Sequence, residues 1–198
     1  MLKKLISVLC ILMLSITPVY ANDNDLASNK VSLISSSTRE ISYEEAVDVL
    51  VEKANLTEKE AMDKLGQQER RTDTFVEHIE EFDYGDGSIV EVGALYDVWY
   101  QGSFRQLNGL DYCWSQLVSS GDTTYDEIYC RDMVTDYPCH DGHIKARGTV
   151  TRTISVSQED TLGAELEGLG FSISQTTSSE IHYRKTKTMD MFYHLYNY

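Results

Sequence analysis

The chain has 198 residues, with 17 basic and 32 acidic side chains and a formal net charge of −15. That balance argues against nucleic acid or an anionic membrane as a direct partner, because both require a positive surface. At 41% hydrophobic residues, the length suffices for one domain with its own core.

Residues 1–21 read as a cleavable secretory signal. Lys3 and Lys4 form the positive start, residues 5–17 the apolar stretch, and Val19-Tyr20-Ala21 the small-residue cleavage pattern. The apolar stretch is shorter than the about 20 residues that span a bilayer, and no later run is apolar enough to do so. The expected product is secreted and starts at about Asn22. Losing the two signal lysines leaves 15 basic against 32 acidic side chains, a formal −17. From His143 onward there are six of each sign, so the net charge lies in 22–142.

Residues 22–41, rich in Asn, Ser and Asp, are expected to form a flexible leader. A helical hairpin is expected in 42–69. Ser42 with Glu45 and Thr57 with Glu60 have capping-box spacing, and Gly66 is a natural stop. Tyr43, Ala46, Val47, Leu50, Val51 and Ala54 share one helical face, as do Ala61, Met62 and Leu65. Arg70-Arg71 reads as a charged linker.

From residue 70 to 198 the pattern changes to period two. Val90, Val92, Ala94, Tyr96, Val98 and Tyr100 fall on one face of a strand. Residues 75–84 are its expected partner, across the turn Gly85-Asp86-Gly87. Two more hairpins are expected, 111–119 with 124–133 and 148–157 with 170–184, and the chain closes on an aromatic strand over 189–198. Residues 158–169 read as a loop or one helical turn. Pro138 is the one proline outside the signal, so little interrupts long strands. The expected fold is mainly β: an antiparallel β-sandwich preceded by a short N-terminal helical hairpin.

Three cysteines survive signal removal: Cys113, Cys130 and Cys139. If Gly121-Asp122 forms a two-residue turn, Cys113 falls opposite Cys130 at a non-hydrogen-bonded position, where side chains are closest. A Cys113–Cys130 disulfide follows as the expectation for an exported chain, with Cys130–Cys139 as the competing pair.

No residue stands out as catalytic, cofactor-binding or metal-ligating. Cys113-Trp114 has a fragment of the look of papain-like and transglutaminase-like nucleophile regions, but those need the thiolate at a helix start and a histidine beside it. Cys139-His140-Asp141-Gly142-His143 contains zinc-ligand types without a closed zinc spacing. Asp83 to Ser88 lacks the oxygen ligands of a calcium loop and reads as a turn. The stripe Thr149, Thr151, Thr153, Ser155, Ser157, followed by Ser172, Ser174, Thr176, resembles the strands of β-pore-forming toxins and also ordinary strands with one wet face. Arg152 interrupts its apolar side.

The chain has the general look of small secreted proteins of Gram-positive bacteria, a likeness that implies no activity. The expected function is non-catalytic binding of an extracellular or cell-surface protein or glycan. Trp99, Tyr100, Tyr125 and Tyr129 are the candidate contact aromatics, because such side chains supply large contact area at low entropic cost. The alternatives are a secreted antimicrobial or pore-forming toxin and a cysteine hydrolase.

Overall fold

A computed structural model describes residues 31–66, 74–118 and 123–196. The signal segment, residues 22–30 of the leader, Arg70-Arg71 and the Gly121-Asp122 turn lie outside those residues.

The fold is mainly β, with two antiparallel four-stranded sheets and few helices. In chain order the elements are β1 (Ser32–Ile41), α1 (Tyr43–Ala54), α2 (Glu58–Leu65), β2 (Thr74–Asp83), β3 (Ile89–Gln101), β4 (Phe104–Leu117), β5 (Thr123–Asp132), β6 (Asp141–Ser155), α3 (Ala164–Gly168), β7 (Ser172–Thr176) and β8 (Glu180–His194). The first sheet runs β1-β2-β3-β4 and the second β5-β6-β8-β7.

Both expected capping boxes form, with Ser42 accepting from the Glu45 amide and Thr57 from the Glu60 amide. The boundary drawn at residue 70 does not hold. Residues 32–41, taken as the end of a leader, pair along β2 from Ser32↔Asp83 to Ile41↔Phe75. The helices are therefore an insert within the first sheet rather than a preceding unit. Pairing with β2 satisfies backbone groups that the polar side chains of this segment leave undecided. Ala46, Val47, Val49, Leu50, Ala61 and Leu65 cluster with Phe75, Leu95 and Trp114 of β2, β3 and β4.

The β2–β3 hairpin has the expected turn. Gly85 and Gly87 take positive φ of 95° and 85°, as a tight reversal requires. The Asp83 carboxylate accepts from the Gly85 amide at 2.6 Å, and Asp86 accepts from the Ser88 amide and hydroxyl. These carboxylates serve the turn's own donors. Along β3, Val90, Val92, Ala94, Tyr96 and Val98 join a core cluster that includes Ile144, Ala146, Val150, Ile181, Tyr183, Met189 and Met191 of the second sheet. Leu95 joins the helix-side cluster, so β3 is covered on both faces.

The other two expected hairpins are not local. β4 pairs with β3 and β5 with β6, so the two strands belong to different sheets. The register that set Cys113 directly opposite Cys130 in one hairpin is therefore replaced. β4 gains more by lying beside the doubly covered β3 than beside β5, whose side chains are largely exposed. Likewise β6 pairs along its whole length with β8, from Asp141↔His194 to Ser155↔Glu180, while β7 takes the outer edge. The expected final strand is the second half of β8. Residues 159–168 are helical, and Leu166 of α3 is buried in the shared core.

Candidate functional site

The turn between β3 and β4 begins a series of rings that runs from the first sheet to the second. Gly102 takes a φ of 64°, letting the chain reverse so that Gln101 pairs with Phe104 and Trp99 with Gln106. Trp99 and Phe104 meet edge-on at 5.9 Å. Phe104 then meets His140 at 5.9 Å, His140 meets Tyr196 at 5.3 Å, and Tyr196 meets His194 at 6.1 Å. Such spacings and tilted geometries are favourable for aromatic pairs.

Backbone contacts hold the series. The Leu107 amide donates to the Cys139 carbonyl at 2.8 Å and the Cys139 amide donates to the Leu107 carbonyl at 3.0 Å, which docks the 133–140 loop on β4. The Leu195 amide donates to the His140 carbonyl at 3.0 Å. The Tyr196 hydroxyl donates to the Arg105 carbonyl at 2.9 Å. Phe104 is 45% exposed and Tyr196 46% exposed, so this fixed series presents ring surface to solvent. Polar groups lie along it. His194 Nδ1 contacts the Asp141 carboxylate, and the Arg105 guanidinium sits 4.9 Å from the Tyr100 ring. His140 Nε2 is buried and has no hydrogen-bond partner among the described residues.

The four aromatics singled out in the sequence divide. Trp99 heads the series. Tyr100 lies beside it, its hydroxyl donating to Glu40 at 2.8 Å, and Arg105 donates to the same carboxylate at 3.2 Å. Tyr125 is a packing residue: its ring covers Gly148, its hydroxyl donates to Ser115 at 2.8 Å, and burial pushes its phenol up to about 12. Tyr129 stands apart on β5, with the Arg131 guanidinium 4.7 Å over its ring. Phe104, His140 and Tyr196 were not singled out as contact residues. Their only sequence signals were an aromatic just after a glycine turn, a histidine in a ligand-like cluster, and an aromatic C-terminus.

The remaining motifs resolve into local contacts. His140 packs between rings, Asp141 faces His194, and His143 bonds Asp190 at 3.0 Å. No group of three metal-ligand side chains occurs among the described residues. In the Ser/Thr stripe, Thr149 bonds Thr186 at 2.7 Å and Thr153 bonds His182 at 2.9 Å. Arg152 donates to the Asp86 carbonyl at 3.1 Å and pairs with its carboxylate. A cavity of about 250 Å³ lies there, lined by Gly85, Asp86, Arg152, Leu162, Glu165 and Leu166. It is smaller than most ligand pockets, and its two central charges already satisfy each other.

Cys113 and Cys130 both pack against the shared core and stand as thiols. Cys113 lies within β4 rather than at a helix start. Neighbouring Cys113, and then burial, push the Cys130 thiol well above its ordinary range.

Among the described residues, no helix is long and apolar enough to cross a membrane. Compared with protein-family models, with curated proteins and with solved structures, the chain matches none.

Proposed function

We propose that this is a secreted, non-catalytic binding protein whose contact surface is the ring series Trp99–Phe104–His140–Tyr196–His194, and that its two sheets face each other as a β-sandwich. The observation that carries the reading is the unbroken run of rings at 5.3–6.1 Å, held by backbone bonds and half-open to solvent at Phe104 and Tyr196. Rigid rings with polar groups at their rim suit a ligand with both apolar faces and hydroxyls. A neutral surface glycan has that chemistry. The strong negative charge disfavours an anionic one. The sandwich reading rests on the core cluster shared by both sheets.

The test is labelling of bacterial cells with fluorescent protein lacking residues 1–21. Binding that periodate oxidation of the cells abolishes and protease treatment spares supports the glycan reading. The opposite pattern assigns a surface protein. Trp99→Ala and Phe104→Ala should each weaken binding about tenfold or more, as contact aromatics do. Equal labelling by wild type and both variants overturns the ring surface. Dye release from liposomes at the same concentrations would replace binding with the pore-forming reading.

A further inference from the structure

We infer that Cys113 and Cys130 form an intrachain disulfide that bolts the edge strand of one sheet to the edge strand of the other. β4 ends the first sheet and β5 ends the second. On β4, Cys113 sits opposite Ala94, and on β5, Cys130 sits opposite Ala146. Both alanines are fully buried in the core cluster that spans the sheets, so each cysteine faces the other sheet beside a small neighbour. Cys113 is near enough to push the Cys130 thiol up.

A neighbouring polar stitch joins the same two strands. The Ser115 amide and hydroxyl donate to Glu127 at 2.9 and 2.7 Å, and Tyr125 donates to Ser115 at 2.8 Å. Cys139 is engaged elsewhere, its thiol donating to the Asp141 carbonyl and its backbone pairing with Leu107. The pairing thus rests on contact across two sheets and not on the Gly121-Asp122 turn. It is independent of what the ring series binds.

Closure needs a disulfide-bearing oxidant such as glutathione disulfide. One cysteine thiolate attacks the oxidant, its proton having gone to solvent. A mixed disulfide forms, and one glutathione thiolate leaves and takes up a proton. The second cysteine, its proton having gone to solvent, then attacks the mixed disulfide at the protein sulfur and expels the other glutathione as a thiolate, which takes up a proton. Two thiols lose two electrons, which end on two molecules of reduced glutathione.

The experiment refolds the chain from denaturant in a glutathione redox buffer, alkylates free thiols and maps the peptides. No Lys or Arg separates Cys113 from Cys130, so cleavage at Asp122, Asp126 or Glu127 is needed to resolve the pair. In the chain lacking residues 1–21, the expected result is a linked Cys113–Cys130 peptide, with Cys139 as the one alkylated thiol. Cys139→Ser should give the same linked peptide and no alkylated thiol. Three alkylated cysteines, or a link between Cys139 and either partner, overturns the inference.

Discussion

A β-carbon built on Gly93 would lie 2.1 Å from Trp114 Cζ2, because the indole lies flat over that glycine on the neighbouring strand. The indole Nε1 donates to Glu91 at 2.7 Å, and Glu91 also accepts from Gln116 at 3.0 Å and pairs with Lys53. Gly93→Ala must displace the ring and break that bond. It is expected to destabilise the protein by about 1–3 kcal/mol, the usual cost of overpacking, with a red shift of tryptophan emission. Urea unfolding measures the first and fluorescence the second. An unchanged midpoint would mean that Trp114 has room to move. Gly148 serves Tyr125 in the same way, since a β-carbon there would meet the phenol oxygen at 2.1 Å. In both places a missing side chain makes the slot, which is why Tyr125 packs instead of contacting a ligand.

Helices α1 and α2 are short, and their hold on the first sheet depends on how well they start. Thr57→Ala removes the acceptor for the Glu60 amide and is expected to cost about 1 kcal/mol. The loss should appear first as faster amide exchange in 57–65, because α2 is anchored mainly by Ala61 and Leu65. Exchange rising equally in β3 would instead mean that helices and sheet unfold as one unit. The caps were legible because they are local: side chain and amide lie three residues apart. The partners of β4 and β5 were not. A Gly-Asp turn between two apolar stretches describes a hairpin and a sheet-to-sheet crossing equally well. The choice was made by β3, whose inward face and Leu95 are both covered.

Two buried populations give the whole molecule an alkaline limit. Tyr84, Tyr96 and Tyr137 are pushed up mainly by burial, and Tyr125 up to about 12. A phenol held above its unfolded value of 10.0 stabilises the fold fully below pH 10, and that contribution is lost as pH rises toward the folded value. For Tyr125 the window is pH 10 to about 12. Lys185 and Lys187 act in the opposite sense. Burial lowers them, the unfolded chain binds more protons, and stability rises with pH up to 10.5. The expected outcome is cooperative unfolding above pH 10, with phenolate absorbance appearing together with loss of near-ultraviolet dichroism. Gradual phenolate formation near pH 10 with the dichroism intact would show that these rings are open to solvent.

The bridge acts at the same level. For a loop of about 18 residues the chain-entropy stabilisation is about 3 kcal/mol. Cys113→Ser, Cys130→Ser and the double variant should therefore all lower Tm by about 6–12 °C, with the double variant no worse than either single one. Cys139→Ser should leave Tm unchanged, since the Cys139 backbone makes the pairing with Leu107. Additive losses in the double variant would mean that the two cysteines act as separate packing residues.

Period-two alternation in 90–98, two capping boxes and a glycine turn were enough to place β2, β3, α1 and α2, because each depends on neighbours in sequence. Trp99 and Tyr100 stood out for the same reason, as aromatics at the end of a clear strand. What lay beyond the sequence was every relation between distant segments. β1 joins the sheet ahead of the helices, and β4 and β5 part company. Phe104, His140 and Tyr196 meet only after the 133–140 loop docks on Leu107 and the C-terminus closes over it. These relations follow from how much apolar surface each pairing covers across the whole chain, a quantity that no local window contains.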